Sequence, residues 1–215
     1  MTANLTDLGF RKGVFSETIV STYNPDGSGN AAPMGLKLVD EQHLEMNIFN
    51  TASTCRNLKA KKCAVVNLTH DIEVFYKSSF KDANLAGKLS AEWFTKAEVV
   101  NAPMLRSADA TIEVAADTMM EDGDRTEFVC SVKRLVATAQ FPQVYCRAMP
   151  LAVEAIIHAT RVKVFLTTPE KQKEVAELIE LIKHYAQVIR RVAPDSEYTA
   201  VMADLQGRID SWRLK

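Results

Sequence analysis

Residues 50–71 read NTASTCRNLKAKKCAVVNLTHD, in which a run of small polar side chains leads into two different periodicities. The spacing predicts a short helix over residues 54–61 and a buried strand over residues 63–69. A helix start carries unpaired backbone N–H groups and the positive end of the helix dipole. The hydroxyl of Thr54 therefore suits either of two roles, a cap for this helix or a ligand of a phosphate bound there.

The neighbours of Thr54 leave both roles open. Thr51 and Ser53 add hydrogen-bond donors. Basic side chains lie within the predicted helix and directly after it, namely Arg56, Lys59, Lys61 and Lys62. Positive charge beside a helix start favours an anion. The same residues also fit a capped surface helix whose basic face is in water.

The first two thirds of the chain have the pattern of strands separated by turns. In residues 44–49, apolar Leu44, Met46 and Ile48 alternate with polar residues, as in a half-buried strand. Further strands are predicted over residues 14–22, 30–39, 86–94, 111–120 and 126–138. Residues 71–85 show no pattern that predicts an element. About six short strands favour an antiparallel barrel, because closing the sheet removes its exposed edges.

From about residue 150 the apolar residues follow a helical period. The first of three predicted helices is marked by Leu151, Val153, Ile156, Ile157 and Val164. The order of strands and then helices predicts an α+β fold. We expect a barrel domain over residues 1–143 and a helical extension, packed on the barrel, over residues 144–215.

The composition is that of an ordinary globular protein, with 47% hydrophobic and 25% charged residues and a formal net charge of −1. We therefore expect neither a nucleic-acid partner nor a membrane surface. The chain has no apolar run near the ~20 residues of a membrane span and no signal-peptide pattern, so we expect a cytoplasmic protein. The four cysteines and four histidines are scattered, which predicts free thiols and no metal site.

Residues 30–35, NAAPMG, are unusual for a strand. Proline cannot donate a ladder hydrogen bond, and glycine has no side chain. A backbone with free polar groups here would let a flat ligand lie against it. The alternative is an edge strand with a bulge.

Together, three segments resemble the FMN-binding split-barrel flavoproteins, the flavin reductase and flavoredoxin group. The typical sequence motifs of that group are, in chain order, N-x-A-P-x-S, D-T-x-x-N-[IL] and V-V-N. The corresponding residues in this chain are 30–35 (NAAPMG), 53–58 (STCRNL) and 65–67 (VVN). The chain also resembles, more narrowly and over most of its length, a family of unknown function, DUF447. The shared features are residues 17–22 (ETIVST), the NAAPMG run, and a late N-R-A motif before a helix, which contains Arg147.

The resemblance implies an antiparallel split β-barrel that binds FMN, with a C-terminal helical lobe. It implies a homodimer with the flavin near the subunit interface, acting on a small-molecule substrate or electron donor. Thr54 is implied to hold the phosphate, and backbone around Pro33 to face the isoalloxazine ring. The candidate cofactor-binding residues are Ala32, Pro33, Met34, Gly35, Asn50, Thr51, Ser53, Thr54, Asn57 and Arg147.

The chain departs from the typical motifs at three places. Gly35 replaces a serine, Ala52-Ser53 replaces a Lys/Arg-Asp pair, and Cys146 replaces an asparagine. The charge of a phosphate must then be met by another residue, such as Arg56 or a basic residue of the partner chain. Two functions remain in play. The first is an FMN-dependent oxidoreductase, and the second is a non-catalytic protein that binds or carries a flavin or a pterin-type ligand.

Overall fold

The computed structural model of the protein describes residues 4–138 and 142–214. These residues form eight strands, which are β1 (Ser16–Tyr23), β2 (Gly29–Asp40), β3 (His43–Phe49), β4 (Cys63–Leu68), β5 (Phe94–Lys96), β6 (Pro103–Leu105), β7 (Ala110–Asp122) and β8 (Arg125–Ala137). They also form five α-helices, which are α1 (Ser53–Lys61), α2 (Ile72–Ser79), α3 (Ala148–Phe165), α4 (Gln172–Val192) and α5 (Glu197–Arg213).

Six of the strands close into an antiparallel barrel in the order β1-β2-β3-β8-β7-β4, and β4 pairs back with β1. The strands β5 and β6 form a separate two-stranded sheet. The predicted α+β fold, a barrel followed by a helical lobe, is confirmed. The chain divides into two compact units, one with Ser16–Tyr145 and the N-terminal residues up to Lys12, the other with Gly13–Phe15 and the residues from Cys146 onwards.

The barrel interior is filled by the apolar residues that alternate along its strands. Leu44, Met46 and Ile48 of β3 are buried, as the alternation predicted, while Asn47 and Phe49 are exposed. Further large side chains of the same core are Leu5, Leu8, Phe10, Leu36, Leu58, Leu68, Ile112 and Phe128. The N-terminal segment thus contributes to the barrel core.

The register of β2 leaves part of that strand with a neighbour on one side only. Residues 29–36 pair with β1, whereas pairing with β3 begins at Leu36 and continues to Asp40. In the part of the chain that the structure describes, no strand pairs with the other edge of residues 29–35. The barrel is therefore split at this point, and Phe49, at the end of β3, leads directly into the start of α1.

The residues between β4 and β5 form an excursion, residues 69–93, that differs from the prediction. Asp71 caps α2, because its side chain accepts hydrogen bonds from the backbone of Glu73 at 2.8 Å and Val74 at 3.4 Å. The predicted strand over residues 86–94 is wrong, since two of the three 3₁₀ turns before the three-residue strand β5, Leu85–Gly87 and Ala91–Trp93, overlap this range. Gly87, with φ of +65°, interrupts an extended conformation there.

The asparagine of the V-V-N motif has a structural role. The buried side chain of Asn67 donates to the backbone oxygen of Ile19 and to the hydroxyl of Ser21, both at 2.9 Å. Its amide oxygen accepts from the backbone of Leu105 at 2.8 Å. Asn67 therefore connects the β1–β4 seam of the barrel to the small β5–β6 sheet.

In the second unit, the three predicted helices are present, but the buried face of α3 differs from the expected one. Its buried residues are Ala148, Ala152, Ala155, Ala159 and Val162. The larger residues that marked the helix in the sequence, Val153, Ile156, Ile157 and Val164, are 40–66% exposed. Small side chains on the inner face allow the close packing of α3 against α4 and α5. None of the helices in the described residues is long and apolar enough to cross a membrane.

Candidate functional site

The start of α1 has no side-chain cap. The N-cap residue is Ala52, in an extended conformation, and its side chain has no atom that can accept a hydrogen bond. The role of Thr54 as a cap is therefore wrong, because Thr54 lies inside the first turn of a helix that begins at Ser53. The first backbone N–H groups of a helix have no partner within the helix. Here they remain open to an external acceptor.

Thr54 is held by a side chain from the start of β2. It is only 1% exposed, and its Oγ1 accepts a hydrogen bond from Asn30 Nδ2 at 3.0 Å. A hydroxyl can accept two hydrogen bonds and donate one. Within residues 4–138 and 142–214, no acceptor takes the proton of the Thr54 hydroxyl.

Asn30 and Thr54 belong to a buried polar network, defined here as Thr22, Asn24, Asn30, Thr54 and Asn57. Oγ1 of Thr22 accepts from Asn30 Nδ2 at 3.2 Å and from Asn57 Nδ2 at 3.0 Å. The Asn57 amide also donates to Asn24 Oδ1 at 3.1 Å. The network thus joins the end of β1, the start of β2 and α1 at the open part of the barrel.

Arg56 lies over the start of its own helix. Its guanidinium donates to the backbone oxygen of Thr51 at 3.0 Å and to Ser53 Oγ at 3.2 Å. Three of the residues proposed from the sequence as a basic, hydroxyl-rich helix start are thereby brought together. The arrangement places positive charge beside N–H groups that already favour an anion.

Asn50 points towards a different element. Its Oδ1 accepts from Thr126 Oγ1 at 2.5 Å, and its Nδ2 donates to the Gly123 oxygen at 3.3 Å. Its backbone N–H donates to Asp124 at 2.8 Å. Asn50 therefore fastens the end of β3 to the β7–β8 turn, and its side chain is not part of the polar network.

The predicted ring-facing residues lie on the edge of β2 that has no strand beside it. Ala32, Pro33, Met34 and Gly35 are all half-buried. The Met34 oxygen accepts a hydrogen bond from Thr18 Oγ1 at 3.1 Å, which holds this segment to β1. A half-buried strand with one free edge offers backbone groups to a flat ligand.

Lys81 is a member of the site that the sequence did not indicate. It lies in a 3₁₀ turn of the excursion, and its ammonium donates to Asn30 Oδ1. Burial lowers the pKa of this ammonium. Asp71, a typical helix cap, was a sequence signal for α2. No local pattern of residues indicated that Lys81, ten residues after Asp71, would contact β2.

Two clefts flank the turn at Asn24 and Pro25. The first, of about 360 Å³, is also lined by Asp26, Ser28, Gly29, Asn30, Lys81 and Lys88. The second, of about 440 Å³, is also lined by Tyr23, Ser53, Arg56, Asn57 and Lys61. The polar network lies between the two clefts, since Asn30 lines one of them and Asn57 lines the other.

The remaining candidates do not add to this cluster. Arg147 belongs to the second unit, where it is the N-cap residue of α3. The four cysteines are free thiols, and burial raises the pKa of Cys130 to about 12, so its thiolate is scarce at neutral pH. Among the described residues, no group of three His, Cys, Asp or Glu side chains could hold a metal ion.

An antiparallel barrel that is open beside a helix start defines a protein of the split-barrel class. The chain belongs to the family described as a protein of unknown function, DUF447. The model of the family's N-terminal domain matches residues 16–138, and a second model of the family matches residues 146–203. None of the curated proteins compared with the chain matches it.

Solved structures share this fold. An FMN-bound DUF447 protein from Methanosarcina mazei is 22% identical, with a TM-score of 0.56, covering 94% of this chain and 98% of that one. A flavoredoxin from Methanosarcina acetivorans is 14% identical, with a TM-score of 0.52, covering 63% of this chain and 77% of its own. Nitrilotriacetate monooxygenase component B from Bacillus cereus is 17% identical, with a TM-score of 0.50, covering 65% and 78%. At these identities the likeness concerns the fold.

Replacing Thr22 with valine tests the polar network. The substitution Thr22→Val keeps the shape of the side chain but leaves two buried amide N–H groups without their acceptor. We expect the free energy of unfolding to fall by about 1–3 kcal/mol. Thr22→Ser keeps the hydroxyl and is the control. Urea unfolding followed by circular dichroism measures both, and equal losses in the two variants would contradict the assigned role of the hydroxyl.

Proposed function

We propose that this protein binds FMN and uses it as an oxidoreductase. The observation that carries the proposal is the uncapped start of α1, with Ser53 and Arg56 beside it, next to the free edge of β2. A helix start suits a phosphate, and a strand edge suits a flat ring. The FMN-bound relative from Methanosarcina mazei supports FMN as the ligand that combines the two.

In this proposal, the residues of the chain divide into two groups. The N–H groups at the start of α1, the Ser53 hydroxyl, Arg56 and the proton of Thr54 hold the phosphate. The backbone of residues 32–35 faces the ring. When bound, FMN supplies hydride or electron transfer, so the protein has to bind, orient and shield the ring. Asn57 fixes the position of α1 through the polar network, and a role for Arg147 stays a prediction.

Flavin binding is tested first by the spectrum of the purified protein between 300 and 550 nm and by titration with FMN. We expect a flavin band, or saturable binding of about one FMN per chain. Thr54→Ala should weaken FMN binding by about 1–3 kcal/mol, because a hydrogen bond to a charged group is lost. Thr54→Ser, which keeps the hydroxyl, should bind nearly as the original protein does. A protein that does not bind FMN would refute the proposal. If a folded Thr54→Ala variant binds FMN with unchanged affinity, Thr54 is not part of the site.

The catalytic part of the proposal is tested by reducing the bound flavin. We expect NAD(P)H or another low-potential donor to bleach the absorbance of the bound flavin faster than that of free FMN under the same conditions. The control is free FMN with the same donor. If every donor tested acts at the free-FMN rate, the protein is better described as a flavin-binding or carrier protein.

We also propose that the protein forms a homodimer with the flavin near the interface. Support comes from the exposed apolar side chains of α3, which include Met149, Val153, Ile156, Ile157 and Val164. Such a stripe is unusual in a helix that faces only water. We expect Ile156→Glu to shift sedimentation from dimer to monomer. Val201→Glu, at a similarly exposed apolar residue of α5, is the control and should leave the dimer intact. A monomer in the original protein would refute the proposal.

A further inference from the structure

We propose that Lys81 supplies a positive charge that holds the phosphate of the bound ligand, so that the site selects phosphorylated flavins over riboflavin. The inference rests on the proposed FMN function. It adds to that function a cation from the excursion between β4 and β5, a part of the chain outside the motifs that indicated the site.

Lys81 carries a charge that the protein itself does not neutralise. Its side chain is half-buried, and its ammonium donates to the neutral amide oxygen of Asn30. Among the described residues, no carboxylate lies within ion-pair distance of this ammonium. Burying an unpaired charge is unfavourable, and here burial lowers the lysine's pKa. An anionic ligand would provide the missing counter-charge.

The ammonium lies at a cleft of suitable size for an anionic group. The cleft of about 360 Å³ is bounded by the turn before β2 and by the excursion that carries Lys81 and Lys88. Asp26 also lines it, but its carboxylate already accepts hydrogen bonds from the backbone and hydroxyl of Ser28 at 2.9 and 2.6 Å. The hydrogen bonds from Ser28, and after them the charge of Lys88, lower the pKa of Asp26, so Lys88 faces this carboxylate and Lys81 is the lining lysine that does not.

Asn30 connects this cleft to the start of α1. Its amide oxygen accepts from Lys81, and its amide nitrogen donates to Thr54 Oγ1 at 3.0 Å. Because Asn30 occupies an acceptor position of Thr54, the hydroxyl proton of Thr54 is available for a ligand oxygen. Lys81, Asn30 and Thr54 thus form one chain of hydrogen bonds, in which Lys81 donates to Asn30 and Asn30 donates to Thr54.

The lysines of α1 and its C-cap are less suited to this role. Lys59 is paired with Glu121 at 2.5 Å, whereas Arg56, which donates to Thr51 and Ser53, remains the cation at the helix start itself. Lys61 and Lys62 are exposed, so water screens their charge. Lys81 uses one of its three N–H donors on Asn30, which leaves two for a phosphate.

The test compares two flavins that differ only in the phosphate. The affinities of FMN and riboflavin are measured by flavin fluorescence for the original protein, Lys81→Met and Lys77→Met. Lys77 is in the same excursion but is paired with Glu73, so its substitution is the matched control. We expect Lys81→Met to lose at least tenfold in FMN affinity with riboflavin affinity unchanged, and Lys77→Met to behave as the original protein. Equal losses for both flavins, or no loss for FMN, would overturn the inference.

A second measurement keeps the inference testable if Lys81→Met does not fold or if the protein binds no flavin. Lysine side chains are labelled with ¹³C, and the Lys81 signal is assigned by its absence in Lys81→Arg. Inorganic phosphate should shift this signal saturably, while sodium chloride of equal ionic strength should not. No flavin binding with a phosphate-dependent shift would refute the FMN proposal and keep Lys81 as an anion ligand. A Lys81 signal that ignores phosphate would overturn the inference.

Discussion

The one-sided pairing of β2 is the constraint on which the rest of the site depends. A closed barrel satisfies the backbone groups of its strands by pairing each strand on both sides. In β2 the two pairings overlap only at Leu36: residues 37–40 pair with β3, whereas residues 29–35 have only β1 as a neighbour. Proline at position 33 is compatible with a free edge, because it has no N–H to donate. The opening also lets the chain leave β3 and begin α1 beside the exposed edge.

A polar opening in an otherwise apolar barrel has to be satisfied internally, which explains the buried polar network. Asn30, Asn57 and Thr22 each would be costly to bury alone, since an unpaired amide or hydroxyl loses its hydrogen bonds to water. Together they satisfy one another and fix where α1 begins relative to β1 and β2. The hydrogen bonds are directional, so the network also determines which way the Thr54 hydroxyl can donate.

Much of the barrel was predictable, because its strands obey a simple rule of alternation. Leu44, Met46 and Ile48 indicated both the strand and the face that is buried. The start of α1 was also predictable, but the role of Thr54 as a cap was not correct, since a hydroxyl in the first turn has the same local signature as one at the cap. For α3 the size of the residues was misleading, because close helix packing favours alanine over the larger side chains that marked the pattern. Lys81 could not be found from local sequence, since its partner Asn30 is 51 residues away.

The position of a charge matters more here than the number of charges nearby. The helix α1 carries three basic residues and its C-cap Lys62 is a fourth, yet exposed charges in water interact weakly, and one of the four is already paired with Glu121. A single lysine in a half-buried cleft acts in a medium of lower effective dielectric constant, so its interaction with an anion is stronger. The same burial that lowers the pKa of the Lys81 ammonium makes an anion bound beside this ammonium more favourable. A chain without the Lys/Arg-Asp pair before α1 can thus still meet the charge of a phosphate, provided that the excursion between β4 and β5 holds Lys81 against Asn30.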